Sequence, residues 1–569
     1  MSDCDVLIVG AGPVGTALAL ELALHKVSFR VIDKFPARSD KSRALVVQAR
    51  TLELLNRHGV AHDLASRGQY VTGTLINIDR KPVTWMNLEG CSPADAEFPL
   101  PLMLSQAETE RFLDECLGKH GATVETSVTA KSIVQDSTGV TTELEGPDGK
   151  RETVRSKYVV GCDGAHSIVR HSATNLTFEG AAYPQDFVLC DAYLRDSHIA
   201  KDRISMHFGY GLLVMMPLGG GLFRIIVSGS ASNPVDNISQ INQQSEVALE
   251  HVQKALETFT SPGCGTLHDP VWLSRFRLHH RGVNNYRDGR LFLAGDAAHI
   301  HSPAGGQGMN TGVHDAFNLG WKLAAVLHEK TPYPEALLNS YNAERYPIGQ
   351  QLLRGTDRLF TFVASTNFLF VRLRNFILPW ILPWLWSSKE RVKTAYQFIS
   401  ELGINYRGSP IVGNSKGFTG PVTGGDRLPD GELKKRTLSA NGRIEEEALT
   451  RVHHICVGAG HHLIFFTADD REHPMETTRT SVEETMTQVK TQAKSNDIYF
   501  HVLGTGGLDA FDGGSLAQSL YLDRDGVVHQ RYGFKQTPGY VLARPDGYIA
   551  HIGPLSSVDD LFGFLGRYF

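Results

Sequence analysis

The sequence predicts an α/β protein in three parts: a parallel sheet flanked by helices, an inserted sheet that is mainly antiparallel, and a compact α/β unit closing the chain. Three observations carry this prediction. The chain opens on a strand–turn–helix–strand pattern. Two further apolar strands, each ending in a Gly/Asp turn, lie far downstream. Between them runs an alternating stretch rich in glycine and aromatic residues. At 569 residues the chain is long enough for about three domains of ordinary size.

Val6-Leu7-Ile8-Val9 is a continuous apolar, β-branched run, as expected of a strand buried on both faces of a parallel sheet. Gly10 to Gly15 forms a turn, Leu18, Leu22 and Ala23 mark one helical face, and Phe29-Arg30-Val31-Ile32 is a second strand ending at Asp33. Tyr158-Val159-Val160 and Arg290 to Ala294 are the later strands. From about 186 to 284 the alternation, as in Met206 to Gly211, predicts antiparallel strands covering a cavity. A helical segment and a Gly/Pro-rich linker follow, and then short strands such as Leu463 to Phe466 and Tyr540 to Leu542 mix with helices.

Composition excludes several classes. A formal net charge of -5 gives no electrostatic case for a nucleic-acid partner. The seven cysteines are scattered, with no CxxC pair and no Cys/His spacing suited to zinc, so no metal site is expected and a reduced, cytoplasmic setting is. The acidic start, Met1 to Asp5, runs straight into a strand and does not read as a signal peptide. Phe368 to Trp386 is strongly apolar, but Arg372, Arg374, Pro379 and Pro383 interrupt it, so no membrane span is expected. A pair of short buried helices is the expectation there, with a membrane-surface anchor as the alternative.

Three stretches carry chemistry. Gly10-Ala11-Gly12-Pro13-Val14-Gly15 is a GxGxxG between a strand and a helix, with Asp33 about 20 residues on. Gly10 allows the tight turn, Gly12 lets a pyrophosphate approach the backbone, and Gly15 permits close helix–strand packing. The phosphate then faces the positive end of the helix beginning near Pro13, and Asp33 can accept hydrogen bonds from a ribose. The second stretch is Val159 to Arg170, containing Asp163-Gly164. The third is Leu293 to Asn310, containing Gly295-Asp296. A strand ending in Gly-Asp sets a carboxylate beside close-packed backbone, and the Gly305 to Asn310 loop opens a helix whose free N–H groups favour negative charge. Val457-Gly458-Ala459-Gly460 has no matching acid and reads as a turn.

In this order and spacing the three stretches resemble the group A flavoprotein monooxygenases, the aromatic hydroxylases related to p-hydroxybenzoate and phenol hydroxylase, over about residues 1–365. The resemblance implies a Rossmann-like FAD-binding domain (1–75, 105–185 and 285–360) and a substrate-binding domain (76–104 and 186–284). A helical middle segment (361–412) and a linker (413–429) would then lead to a thioredoxin-like domain (430–569) without the CxxC. Only Cys456 lies in that tail, so dithiol exchange is not expected of it. Carried over onto matching positions, Gly10, Gly12, Pro13, Val14, Gly15, Asp33, Lys34, Arg43, Gln106, Val128, Asp163, Gly295 and Asp296 would bind FAD. Gly306, Gly308, Met309 and Asn310 would line the isoalloxazine, Pro303 would sit beside the reacting ring, and Arg170 would serve NADPH.

The implied cycle reduces FAD with NADPH or NADH and traps O₂ as a flavin C4a-hydroperoxide, whose distal oxygen an electron-rich aromatic substrate attacks. His301 and Tyr210, with His207 and Tyr183 beside them, are candidates by position for a base near a phenol. The same scaffold can perform epoxidation or Baeyer–Villiger oxygenation, and a non-catalytic FAD-binding scaffold is the alternative from another class. A flavin halogenase is disfavoured because Gly211 to Pro217 contains no tryptophan. A homodimer is expected.

Overall fold

The computed structural model describes residues 3–39, 44–209, 211–228, 248–260, 263–301, 305–363, 365, 367–438, 444–468, 474–493, 497–506, 508–511 and 519–567. Arg43, Tyr210 and Pro303, all expected at the site, lie outside these residues.

Cys4–Val9 pairs in parallel with Phe29–Asp33 on one side and Arg151–Gly161 on the other, and Arg151–Gly161 pairs in parallel with Leu291–Leu293. Leu7, Ile8, Val159, Val160 and Phe292 are fully buried, as the apolar runs require of strands covered on both faces. Parallel strands end on the same sheet edge. The three chemistry-bearing turns, at Gly10, Asp163 and Gly295, therefore emerge side by side although nearly 300 residues separate the first from the last. That edge is where open α/β sheets bind ligands. The helices Pro13–Leu24 and Gly308–Leu327 pack together behind it, with Gly312 against Val14 and Gly320 against Glu21.

The second sheet has the order His299–Ile300, Thr266–Val283, Phe178–Arg195, Leu222–Ser228, Gly211–Gly219, Ile204–Gly209, Gly73–Ile78, Lys81–Asn87. Every pairing is antiparallel except that of Ile204–Gly209 with Gly73–Ile78. It begins at Gly73 and Phe178, a few residues before the composition shift. One face is sealed by the helix Leu249–Phe259, which buries Cys190, Leu213, Met215, Ile225 and Val227. On the other face Met206, Val214, Met216, Ile226, Phe276 and Leu278 are only half-buried.

Helices Pro334–Val363, Phe368–Trp386 and Lys389–Ile399 follow. Phe368–Trp386 departs from the expectation of two short buried helices. It is one continuous 19-residue helix that carries Pro379 and Pro383 within it, and most of its apolar side chains are exposed. The composition is that of a core helix, but its buried face is formed by Val371, Arg374, Asn375 and Leu378.

The closing unit is an eight-stranded sheet built on a βαβ crossover, His461–Phe466, Met475–Ala493 and Ile498–Gly504, followed by the hairpin Gly539–Ala543 and Ile549–Pro554 and the helix Val558–Leu565. The stretch expected to be a linker is packed into this unit. Gly413–Asn414 adds to the sheet beside Ile549–Pro554, Leu428 enters its core, and Arg427 reaches back to Glu53 at 3.0 Å and to Asp95. Gly/Pro-rich composition here marks turns, not freedom.

Candidate cofactor site

The glycines of the first turn divide by what surrounds them. Gly10 has φ +95°, and a Cβ there would lie 2.5 Å from the Cys162 carbonyl oxygen, so the first and second motifs touch. A Cβ at Gly15 would lie 1.9 Å from the Gly10 carbonyl oxygen. Gly12 is different. Its φ of -60° suits any residue, and a Cβ on it meets nothing within 4 Å. The chain itself gives no reason for glycine there; a phosphate lying against the backbone does. Pro13 takes the first helical position, and Val14 packs under Gly295 and Gly312.

Asp33 ends its strand with both carboxylate oxygens oriented by backbone: Ala11 N–H and Phe35 N–H each donate at 2.9 Å. Lys34 is exposed, its ammonium over the Phe35 ring, and Val128 N–H donates to the Asp33 carbonyl. Gln106 accepts from Ala44 N–H at 3.1 Å and donates to Glu110, tying down the chain immediately after Arg43.

Asp163 accepts from Ile168 N–H at 2.6 Å through one oxygen, while the other is buried with no partner among the described residues. Burial raises its carboxyl above the usual range despite the hydrogen bonds it receives. An orphaned acceptor at a sheet edge fits a site made for hydroxyl groups. Asp296 is exposed on the turn Gly295–Ala297. That turn is held from behind: Gly295, at φ +60°, donates its N–H to Asp315 at 3.0 Å, and Asp315 also binds His299 at 2.8 Å and Arg345 at 2.7 Å. Burial alone would raise the Asp315 carboxyl, but Arg345 and His299 outweigh it and hold the group below its usual value. Asp315 is a residue the motif reading missed. The signal was available, since a carboxylate among Val313, Ala316, Phe317 and Leu319 is buried and must be paired.

The Gly305 to Asn310 loop is stitched to the strand Val46–Val47 and to Gln48. Asn310 donates to the carbonyls of Val46 and Gly306 at 2.8 Å and accepts from Gln48 N–H, while Gln48 donates to Gly305. Gly306 abuts Val46, and Gly308 and Met309 open the helix with no side-chain cap on its N–H groups. The His301 imidazole lies 3.3 Å from where a Cβ on Gly308 would be.

Other candidates are placed elsewhere. His207 sits on the sheet face covered by Leu249–Phe259, 2.6 Å from Ser205 Oγ, and burial lowers it to about 4. The Tyr183 hydroxyl donates to Asp357 at 2.8 Å. Arg170 is 4% exposed; it donates to the carbonyls of Ala297 and Ala165 at 2.8 Å and lies over the Phe178 ring. It thus braces the second motif against the third. Among the described residues one group of possible metal ligands lies outside the site: Glu97 accepts from His62 at 3.0 Å and His454 at 2.8 Å, joining the first and last units.

A parallel sheet with this edge defines a dinucleotide-binding protein, and comparison with known proteins says which. Residues 3–356 match the family described as FAD binding domain. Pentachlorophenol 4-monooxygenase of Sphingobium chlorophenolicum is 32% identical over 439 residues, covering 76% of this chain and 77% of that protein. 6-methylpretetramide 4-monooxygenase of Streptomyces rimosus is 35% identical, covering 73% and 72%. The anhydrotetracycline hydroxylase OxyS of Streptomyces rimosus superposes with a TM-score of 0.73 at 27% identity, over 100% of this chain and 99% of that one. The chain belongs to the FAD-binding aromatic monooxygenases.

Proposed function

We propose that the enzyme hydroxylates an electron-rich phenol of polyketide-like size, consuming NADPH or NADH and O₂. One observation carries this reading. The half-buried apolar sheet face runs up to the cofactor loop through Val46, which contacts both Gly306 and the cluster holding Met216 and Ile204. A flat aromatic molecule lying on Met216, Ile226 and Phe276 would present its edge to that loop.

Gly12, Asp33, Asp163 and Asp296 would hold FAD, the first by leaving room and the three carboxylates by accepting hydroxyl hydrogen bonds. FAD, when bound, supplies electron exchange with the nicotinamide and the activation of O₂. The N–H groups at Gly308 to Asn310 favour negative charge on whatever lies before them. His301, the described candidate that adjoins this loop, would hold or pass a proton near the phenol. Arg170 acts by positioning the two Gly/Asp turns, so the nicotinamide nucleotide approaches from outside them. The test is anaerobic reduction of the flavin by NADPH with and without a panel of mono- and polycyclic phenols, followed by turnover under ¹⁸O₂. Faster reduction with a polycyclic phenol and one labelled oxygen in the product are expected. No acceleration by any phenol and no labelled product defeat the proposal.

A further inference from the structure

The helix Phe368–Trp386 is built inside out. Arg374 and Asn375, two of its three polar residues, face the protein: Arg374 donates to the Gly209 carbonyl at 2.9 Å and to Asn375 at 3.1 Å, and Asn375 donates to Asp79 at 3.0 Å. Its outward stripe is Leu369, Leu373, Phe376, Trp380 and Trp384, spaced by three or four residues and 57–75% exposed. Phe368 and Ile381 widen it. An apolar stripe of this size on the outside of a folded domain marks an interaction surface.

The residues around the stripe say what kind. No acidic residue occurs between Asp357 and Glu390, whereas Arg372, Lys389, Arg391 and Lys393 lie on or just after the helix. Arg372 stands over the Phe368 ring at 5.1 Å and Arg391 over the Trp384 ring at 4.1 Å, each laying a cationic side chain along the edge of the apolar stripe. Trp380, Trp384 and Trp386 are three of the six tryptophans in the chain. Tryptophan with a basic rim is the composition of helices that lie in the boundary between lipid headgroups and acyl chains. The bonded polar face keeps the helix on the protein, which suits lying on a membrane and not crossing it. An anionic lipid surface complements this basic flank, which a second copy carrying the same flank does not.

We propose that this helix docks the enzyme flat on an anionic lipid surface, with Leu373, Phe376 and Trp380 entering the bilayer boundary. The test uses the full-length, FAD-loaded protein and sedimentation with vesicles of phosphatidylcholine alone or mixed with phosphatidylserine. Expected are binding to the mixed vesicles that weakens with salt, and a blue shift of tryptophan emission. Phe376→Ser with Trp380→Ser should abolish binding, and Lys389→Glu with Lys393→Glu should weaken it by about tenfold or more; unchanged flavin absorbance and circular dichroism certify the fold of both variants. The proposal is overturned if the wild-type protein stays in the supernatant with every vesicle. It is equally overturned if the Phe376 and Trp380 variant binds vesicles like wild type, or if the serines only turn a dimer into monomers.

Discussion

Arg544 closes on Glu344 across the seam between the C-terminal unit and the long helix Pro334–Val363, Nη1 to Oε1 at 2.7 Å and Nη2 to Oε2 at 2.9 Å, with both side chains sealed from water. Lys322 donates to the same carboxylate at 2.7 Å, and Asp546 accepts from both Arg544 and Trp321. One residue further along the helix, Arg345 binds Asp315, which holds Gly295. A buried polar network therefore runs from the C-terminal unit to the turn beside the cofactor. Losing 430–569 would therefore strip Glu344 and Trp321 of buried partners next to the cofactor helix.

Arg544→Ala leaves Glu344 with Lys322 and no second cation, and breaking one partner of a buried pair costs about 3–5 kcal/mol. A clear fall in thermal midpoint is expected by circular dichroism, with flavin released in the same transition. An unchanged midpoint would show that the network contributes nothing.

Asp315→Asn keeps one acceptor oxygen but removes the charge that balances Arg345 and the second acceptor that serves His299. A charged hydrogen bond of this kind is worth about 1.5–3 kcal/mol. The Gly295 turn should loosen and the FAD dissociation constant rise about tenfold or more, read by flavin fluorescence on a protein whose far-ultraviolet spectrum is native. Wild-type affinity would remove Asp315 from the account of the site.

Glu401 gives a pH dependence. It donates nothing to the site directly but accepts from Thr311 Oγ1 at 2.7 Å, one turn into the cofactor-loop helix. Burial lifts its carboxyl from the usual 4.5 to about 8, more than Thr311 and Arg345 lower it, and its other oxygen is 3.3 Å from a His314 that burial keeps neutral. Between these two values the folded protein holds a proton that the unfolded chain has released, so stability falls as pH rises through about 4.5 to 8. Glu401→Gln should remove most of that slope in denaturant titrations at pH 5, 6, 7 and 8. A slope equal to that of wild type refutes the assignment.

Cys456 should be inert. It is 2% exposed, burial pushes its thiol to about 12, and its carbonyl accepts from Arg57 at 2.9 Å. Cys456→Ser is expected to leave NADPH consumption and product yield unchanged; a large loss with the fold intact would restore a redox role to the C-terminal unit.

How far the sequence could be read follows from range. Gly10, Asp33, Asp163 and Gly295 were legible because each stands at the end of an apolar strand, and parallel strands must bring such ends together. That Asp315 is buried and paired could be read from its apolar neighbours, but its partners Gly295, His299 and Arg345, like the role of Gln48, could not, since these contacts span tens to hundreds of residues that no local spacing encodes. The helix Phe368–Trp386 misled for the opposite reason: hydropathy reports what a segment could bury, whereas Arg374 and Asn375 found partners that turned it over. The stretch 413–429 likewise read as a linker because turn residues and mobile residues have the same composition.

The contrast between Gly12 and Gly15 is the sharpest test of the site, because the two glycines share a motif yet differ in what restrains them. Replacing glycine by alanine within a helix ordinarily stabilises it by about 0.5–1 kcal/mol. At Gly15 the new methyl would sit 1.9 Å from the Gly10 carbonyl oxygen, so the strand and helix must part, and Gly15→Ala should destabilise the protein with or without FAD. At Gly12 the methyl meets nothing in the chain and the backbone is already in a region open to alanine. Gly12→Ala should therefore leave the thermal midpoint of the FAD-free protein within a degree or two of wild type, since a surface change of this kind is worth about 0.5 kcal/mol or less. Its FAD dissociation constant should rise about tenfold or more, because the methyl occupies the place of the pyrophosphate, a loss of about 1.4 kcal/mol or more. Measuring both quantities on both variants separates packing from ligand contact. If Gly12→Ala binds FAD as wild type does, the open space before Gly12 is not where the phosphate lies, and the cofactor must enter the sheet edge by another route.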